Sequence, residues 1–193
     1  MATTLSIAPE ANHKALLAAL LCAAVTASFL PGSSAAAAPS SQLVSQTCRR
    51  TSNHRLCADL LRSSNRSSAA TSVRELAVVA VTAARRSALR ARMRALDLAH
   101  EGGGTVSCRL AARCAALYAV CLRAGAQAVG RVSTMPAYEH DGRAADAVSA
   151  LRRFPEKCVG LFRERGIASP LERVSREVEE KLGVASEIVR LSR

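Results

Sequence analysis

The chain has 193 residues, 49% of them hydrophobic, with only five aromatics (three Phe, two Tyr, no Trp) and a formal net charge of +12. That length suits one domain with a sizeable core, and the shortage of aromatics means that the core is built from Ala, Leu and Val. Alanine-rich faces let helices approach closely, so an all-helical bundle is the expected class. The arginines are scattered along every helix, without the blocks or interleaved aromatics of a dedicated polyanion groove, and most of them read as solvated helix faces.

Residues 15–30 are apolar and uncharged, preceded by His13 and Lys14 and followed by Pro31-Gly32 and then Ala35-Ala-Ala-Ala38. This is the pattern of a secretory signal peptide, with cleavage after Ala36 or Ala37; Pro39 opposes a cut just before it. Sixteen residues are short for a membrane span, and no later segment is longer and more apolar. The expected organisation is a signal peptide over 1–37 and one domain over 38–193, secreted and free of the membrane once the signal is removed. Secretion also takes nucleic acid out of reach. Acidic polysaccharides, membrane surfaces and acidic proteins remain as partners for the charge. Glu10 and Lys14 cancel, so residues 38–193 keep 26 Lys and Arg against 14 Asp and Glu, still +12. Cys22 leaves with the signal, and the even set of six cysteines that remains reads as a disulfide framework in an oxidising compartment.

In chain order, residues 41–49 form a short helix, broken at Thr51-Ser52-Asn53, where Ser52 or Asn53 caps a second short helix over 54–62. Cys48 and Cys57 flank this turn, and a helical hairpin makes them natural partners. His54 beside them raises zinc, but the spacing matches no common zinc pattern. Residues 63–68 are a polar linker with one sequon, Asn65-Arg66-Ser67, an acceptor for N-glycosylation in a secreted chain.

Ser72-Val-Arg-Glu75 is a capping box that opens a long helix to about residue 99. Val73, Leu76, Val79, Ala80 and Ala83 form its first apolar stripe, and Leu89, Met93 and Leu96 its second. Gly102-Gly-Gly104 ends it, and Thr105 or Ser107 caps the next helix, which runs to about Val132. There Cys114 and Cys121 share one face, about 10.5 Å apart along the axis, with Leu117 and Tyr118 between them. Leu110, Ala124 and Ala128 extend that face. Cys108 is rotated about 240° from Cys114, and its place near the helix start leaves it open to solvent and to a second molecule. Cys108 and Cys121 would be about 19 Å apart, too far for a bond to each other.

A loop with Met135-Pro136-Ala137-Tyr138 follows, and Asp141 can cap a helix with Ala144, Val148, Leu151, Cys158, Leu161 and Phe162 on one face. Pro155 inside this pattern kinks or restarts it. Gly166 stops it. Ser169-Pro170-Leu171-Glu172 starts the last helix, with the stripe Leu171, Val174, Val178, Leu182, Ala185, Val189. Four long helices with short connections give an up-and-down bundle preceded by the small hairpin. Sequential helices are then neighbours, so the helix of Cys158 lies beside that of Cys114 and Cys121.

The chemistry of an active site is missing from this pattern. There is no nucleophile elbow, paired-His zinc motif or phosphate loop, and His54, His100 and His140 each stand alone. The reading is a non-enzymatic binding protein with no cofactor and no metal. A lipid-transfer protein would need adjacent Cys-Cys and Cys-x-Cys pairs, which are absent.

Thr47-Cys48 with Thr51, Leu56-Cys57 with Leu60, Cys114-Ala-Ala-Leu-Tyr118, Ala147-Val-Ser-Ala-Leu151 before Cys158 and Phe162, and Gly166-Ile-Ala-Ser-Pro170 together resemble the plant invertase and pectin methylesterase inhibitor family. The resemblance covers the region after the signal. It implies a four-helix bundle with an N-terminal helical hairpin, stapled by Cys48–Cys57 and Cys114–Cys158. The family does not account for Cys108 and Cys121, which are the candidate free thiols, Cys121 as a buried one. A register shift would instead pair Cys121 with Cys158. The resemblance further implies a reversible, non-covalent protein inhibitor that covers the active-site cleft of a pectin methylesterase or of an acid invertase. Invertase-directed members carry Pro-Lys-Phe in the loop where this chain has Pro136-Ala137-Tyr138. The lost lysine makes pectin methylesterase the first expectation and invertase, of cell wall or vacuole, the second. Pro136, Ala137 and Tyr138 are the candidate target contacts. The expected location is the apoplast and cell wall, with the vacuole as the other compartment, and the charge would help retain the protein on acidic pectin.

Overall fold

The computed structural model describes residues 39–101, 103–134 and 142–192. The expected signal peptide, the loop with Pro136, Ala137 and Tyr138, and the expected cap Asp141 lie outside the described residues. Two short helices, α1 (Pro39–Cys48) and α2 (His54–Arg62), are followed by a 3-10 turn, Asn65–Ala69. Then come α3 (Val73–Glu101), α4 (Val106–Thr134), α5 (Arg143–Ser149), a 3-10 turn (Ala150–Arg152), α6 (Arg153–Arg163) and α7 (Glu172–Leu191). The described residues are all-α, without a strand. α3 packs on α4 and α7, α4 on α6, and α5 and α6 on α7, which closes a four-helix ring whose third member is the α5–α6 pair. The α1–α2 hairpin leans on α3 and α7.

The helix boundaries follow from local chemistry. Asn53 Oδ1 accepts the Leu56 N–H at 3.0 Å and caps α2. Ser52 does not cap; its backbone N–H and its hydroxyl both donate to the Glu187 carboxylate, at 2.8 and 2.7 Å, and tie the hairpin to α7. At α3, Ser72 Oγ accepts the Glu75 N–H at 3.3 Å, while the Glu75 carboxylate reaches back to the Thr71 N–H at 2.6 Å, one residue beyond an ordinary capping box. Thr105 caps α4 by accepting the Cys108 N–H at 3.3 Å. Pro155 sits in the first turn of α6, where a missing N–H costs no helical bond, so the interrupted pattern is resolved as a restart after a 3-10 turn. Gly166, at φ +63°, ends the segment: Ile167 N–H donates to the Phe162 carbonyl and Gly166 N–H to that of Arg163, the paired bonds of a Schellman close. The last helix begins at Glu172, later than expected. Ser169 Oγ accepts the Leu171 N–H in a tight turn, and Glu172 bonds Arg176 at 3.1 Å rather than turning back as a capping glutamate.

The core corrects the reading of α3. Its buried side beyond the first turns is Ala84, Ser87, Ala88, Ala91 and Ala95, whereas Leu89 and Met93 are 45% and 49% exposed. α3 lies against both α4 and α7, and small side chains let two helices approach one face; Met93, about 200° round from Ala91, points outward. The linker after α2 is also more structured than a polar tether: Ser67 is buried, and its hydroxyl donates to the Leu61 carbonyl at 2.6 Å. The large side chains at the centre are Leu61, Leu76, Tyr118, Phe162, Leu171, Leu182 and Ile188.

Candidate enzyme-binding surface

Of the six cysteines among the described residues, disulfides join Cys48 to Cys57 within the hairpin and Cys114 to Cys158 between α4 and α6, with Cα separations of 5.5 and 4.9 Å. Cys108 and Cys121 are thiols, and both are buried. That overturns the solvent-open position expected for Cys108. The capping hydroxyl of Thr105 lies 2.9 Å from its sulfur and donates to it, so the first turn folds over the thiol. Cys121 lies in the core near Arg85, and burial pushes its thiol up to about 11, against the opposing pull of the Arg85 charge.

One turn beyond the staple, Tyr118 is fully buried and donates its hydroxyl to Ser175 Oγ on α7 at 2.9 Å. Burial pushes its phenol up to about 12, so it stays protonated and serves as a donor. Ser175 escapes the periodicity argument because a serine within an apolar stripe reads as a flanking polar residue. Tyr118 therefore links α4 to α7 at the level where Cys158 links α4 to α6.

The polar groups lie between helices and on their outer faces. On the α3–α7 seam, Glu177 accepts from Lys181 at 2.6 Å and from Arg90 at 3.2 Å, and Ser87 accepts from both cations. The Lys181 hydrogen bond is the first cause that holds the Glu177 carboxyl below the usual range, with burial opposing it and the charges of Lys181 and Arg90 adding to it. Arg152 pairs with Glu179 at 2.7 Å between the third and fourth members of the ring. His54 and His100 are exposed and far apart in sequence, and His140 lies outside the described residues. Among the described residues no cluster of His, Cys, Asp and Glu is arranged to hold a metal ion. Asn65 is exposed, as a glycan acceptor requires.

Beside the Cys114–Cys158 staple, α4 and α6 leave a shallow groove. Leu117, Val120 and Leu161 form its floor, and Arg113, Lys157, Glu156 and Glu164 its rim. Val120 is 41% exposed, one of four large apolar side chains that stand well out among the described residues. An apolar floor inside a mixed-charge rim is the anatomy of a protein-recognition patch, and the disulfide beneath it fixes the two walls. Leu161, expected in the core, is half-buried: it packs against the core and also lines this groove. The signal available in the sequence was Val120, an apolar residue on the side of α4 that carries Arg113.

A family model described as "Plant invertase/pectin methylesterase inhibitor" matches residues 42–192. Among solved structures, the chain is similar to the crystal structure of a pectin methylesterase inhibitor from Arabidopsis thaliana, at 18% identity and a TM-score of 0.54, covering 79% of this chain and 97% of that one. At that identity the likeness concerns the fold. No curated protein matches the sequence. The family match spans all the described helices except the first residues of α1, both disulfides and the α4–α6 groove, and the protein is an inhibitor-class binding protein rather than an enzyme: the chain belongs to the plant invertase/pectin methylesterase inhibitor family.

Proposed function

We propose that the chain is a secreted inhibitor of pectin methylesterase, which forms a reversible non-covalent complex over the enzyme's active-site cleft. Membership of the inhibitor family supports the activity, and Ala137 carries the choice of enzyme, since it stands where invertase-directed members have the lysine of Pro-Lys-Phe. The Arabidopsis protein of similar fold is itself described as a pectin methylesterase inhibitor. We assign the enzyme-facing surface to the α4–α6 groove, because its exposed apolar floor is backed by the inter-helix disulfide and needs little ordering on binding. In this reading residues 1–37 are removed on export, Asn65 carries a glycan, and the net charge of +12 holds the protein in an acidic pectin wall.

The test is a pair of inhibition assays at mildly acidic pH, one with pectin methylesterase and one with acid invertase. The methylesterase should lose activity as inhibitor is added while the invertase keeps it. The opposite pattern would transfer the assignment to invertase. Val120→Asp should weaken inhibition about tenfold or more with the fold intact, since a charge buried in an interface without a partner costs more than 1.4 kcal/mol, the equivalent of tenfold.

A further inference from the structure

We infer that the outer face of α3, along its seam with α4, is a docking track for a linear carboxylate-bearing polysaccharide, separate from the enzyme-facing groove. This deepens the pectin-retention part of the reading above by naming the surface that does it. Arg74, Arg85 and Arg92 are 11 and 7 residues apart, which places them within about 20° of one line along α3, roughly 16.5 and 10.5 Å apart. The sequence hides this row because the spacing spans several turns.

The three side chains share an unusual state. Each is half-buried, and each has its Nε covered by protein with no hydrogen-bond partner. The stems are therefore laid against the bundle, with the rest of each guanidinium directed to solvent, a pre-set donor that gives up little side-chain entropy on binding. Gly125 on α4 makes room for this at the centre of the row: a Cβ there would sit 2.9 Å from Arg85 Cγ and 3.0 Å from its Cδ. No carboxylate is paired with Arg74, Arg85 or Arg92 among the described residues. The acidic residues of α3 lie about 100° or more from the row: Glu75 is engaged by Thr71, Glu101 is paired with Arg94, and Asp97 stands apart. α4 has no Asp or Glu in its 29 residues.

The shape of the charge selects the partner. A straight row of one sign, roughly 27 Å long, presents repeated single contacts to an extended polymer. Leu89, 45% exposed, stands beside the row and offers apolar surface to a sugar ring, while Val78 and Leu96 on the same side are half-buried against the core. A folded acidic protein would ask for a broader patch with mixed charge at its rim. At the Arg74 end the surface opens into a groove that also carries Arg66, which extends the positive charge beyond the helix, and Glu75, whose carboxylate is held by the Thr71 N–H.

The experiment is affinity electrophoresis of the purified protein through gels containing polygalacturonate at low salt and mildly acidic pH. Gels with fully methyl-esterified pectin, which lacks the charge, serve as comparator. The triple variant Arg74→Gln/Arg85→Gln/Arg92→Gln is set against Arg55→Gln/Arg163→Gln/Arg165→Gln, which removes the same charge elsewhere. The row variant should bind polygalacturonate about tenfold more weakly, as the loss of three partly exposed ion contacts implies, and the second triple no more than about threefold. Gly125→Ala, which displaces the Arg85 stem without removing charge, should lower binding in the same direction. Inhibition of pectin methylesterase, measured in parallel, should be unchanged by the row variant. Equal losses in the two triples would overturn the track in favour of net charge alone. Loss of enzyme inhibition in the row variant would reassign the face to the enzyme. Equal retardation of the wild type by esterified pectin would remove the carboxylate from the account.

Discussion

The two disulfides close loops of very different length, and the bundle should register the difference. Cys48–Cys57 spans 9 residues and Cys114–Cys158 spans 44. The chain entropy that each removes from the unfolded state is worth about 2.6 and about 4 kcal/mol, and the ratio of loop lengths alone accounts for a difference of about 1.4 kcal/mol. Both members of each pair are almost wholly buried, so replacement of a pair by alanine removes similar volume at the two sites and leaves the loop term to decide the order. For a domain of this size 1 kcal/mol moves Tm by about 2–4 °C, so Cys114→Ala/Cys158→Ala should lower Tm by roughly 8–16 °C and Cys48→Ala/Cys57→Ala by roughly 5–10 °C. Thermal unfolding followed by far-UV circular dichroism, with peptide mapping of the unreduced protein, makes the comparison. A larger loss from the hairpin pair would refute the reasoning, as would a Cys121–Cys158 peptide in the wild type.

Three further perturbations test the packing and its electrostatics. Tyr118→Phe and Ser175→Ala should each cost about 1–3 kcal/mol in denaturant unfolding, because each strands a buried hydroxyl, and the double variant should cost less than the two together; strict additivity would deny the bond. Leu89→Gln and Met93→Gln should fall within about 0.5 kcal/mol of wild type, whereas Ala91→Leu should cost about 1–3 kcal/mol by overpacking the helix seam; the reverse order would restore the larger residues to the core. Glu177 has a lowered pKa in the folded protein, so its ion pairs add stability that is present above the ordinary Glu pKa and is lost as pH falls through the folded value. Glu177→Gln should therefore be less stable than wild type at neutral pH, by up to about 1 kcal/mol given its exposure. The gap should close in acid; a gap that widened as pH fell would contradict the sign.

The bundle was legible because its signals are one-dimensional. Caps at Asn53, Ser72 and Thr105, the glycine stop at Gly166 and the last helix's three-and-four spacing each act within a few residues. The side of α3 that faces the core was not, since hydrophobicity favours Leu89 and Met93 while the geometry of two neighbouring helices favours Ala88 and Ala91. Proximity in space was equally hidden: the bonds of Ser52 to Glu187, Tyr118 to Ser175 and Ser87 to Lys181 join residues that no local pattern connects. The surface groove depends on how α4 and α6 are rotated against each other, and a disulfide fixes that rotation only in the folded chain.

Titration of a fixed amount of pectin methylesterase with the purified inhibitor, wild type beside Val120→Asp, tests the central claim most directly. Activity should fall linearly with added wild-type protein to an endpoint near one inhibitor per enzyme, return when the complex is separated, and persist far longer against Val120→Asp. Full activity at a large excess of wild-type protein would contradict the account.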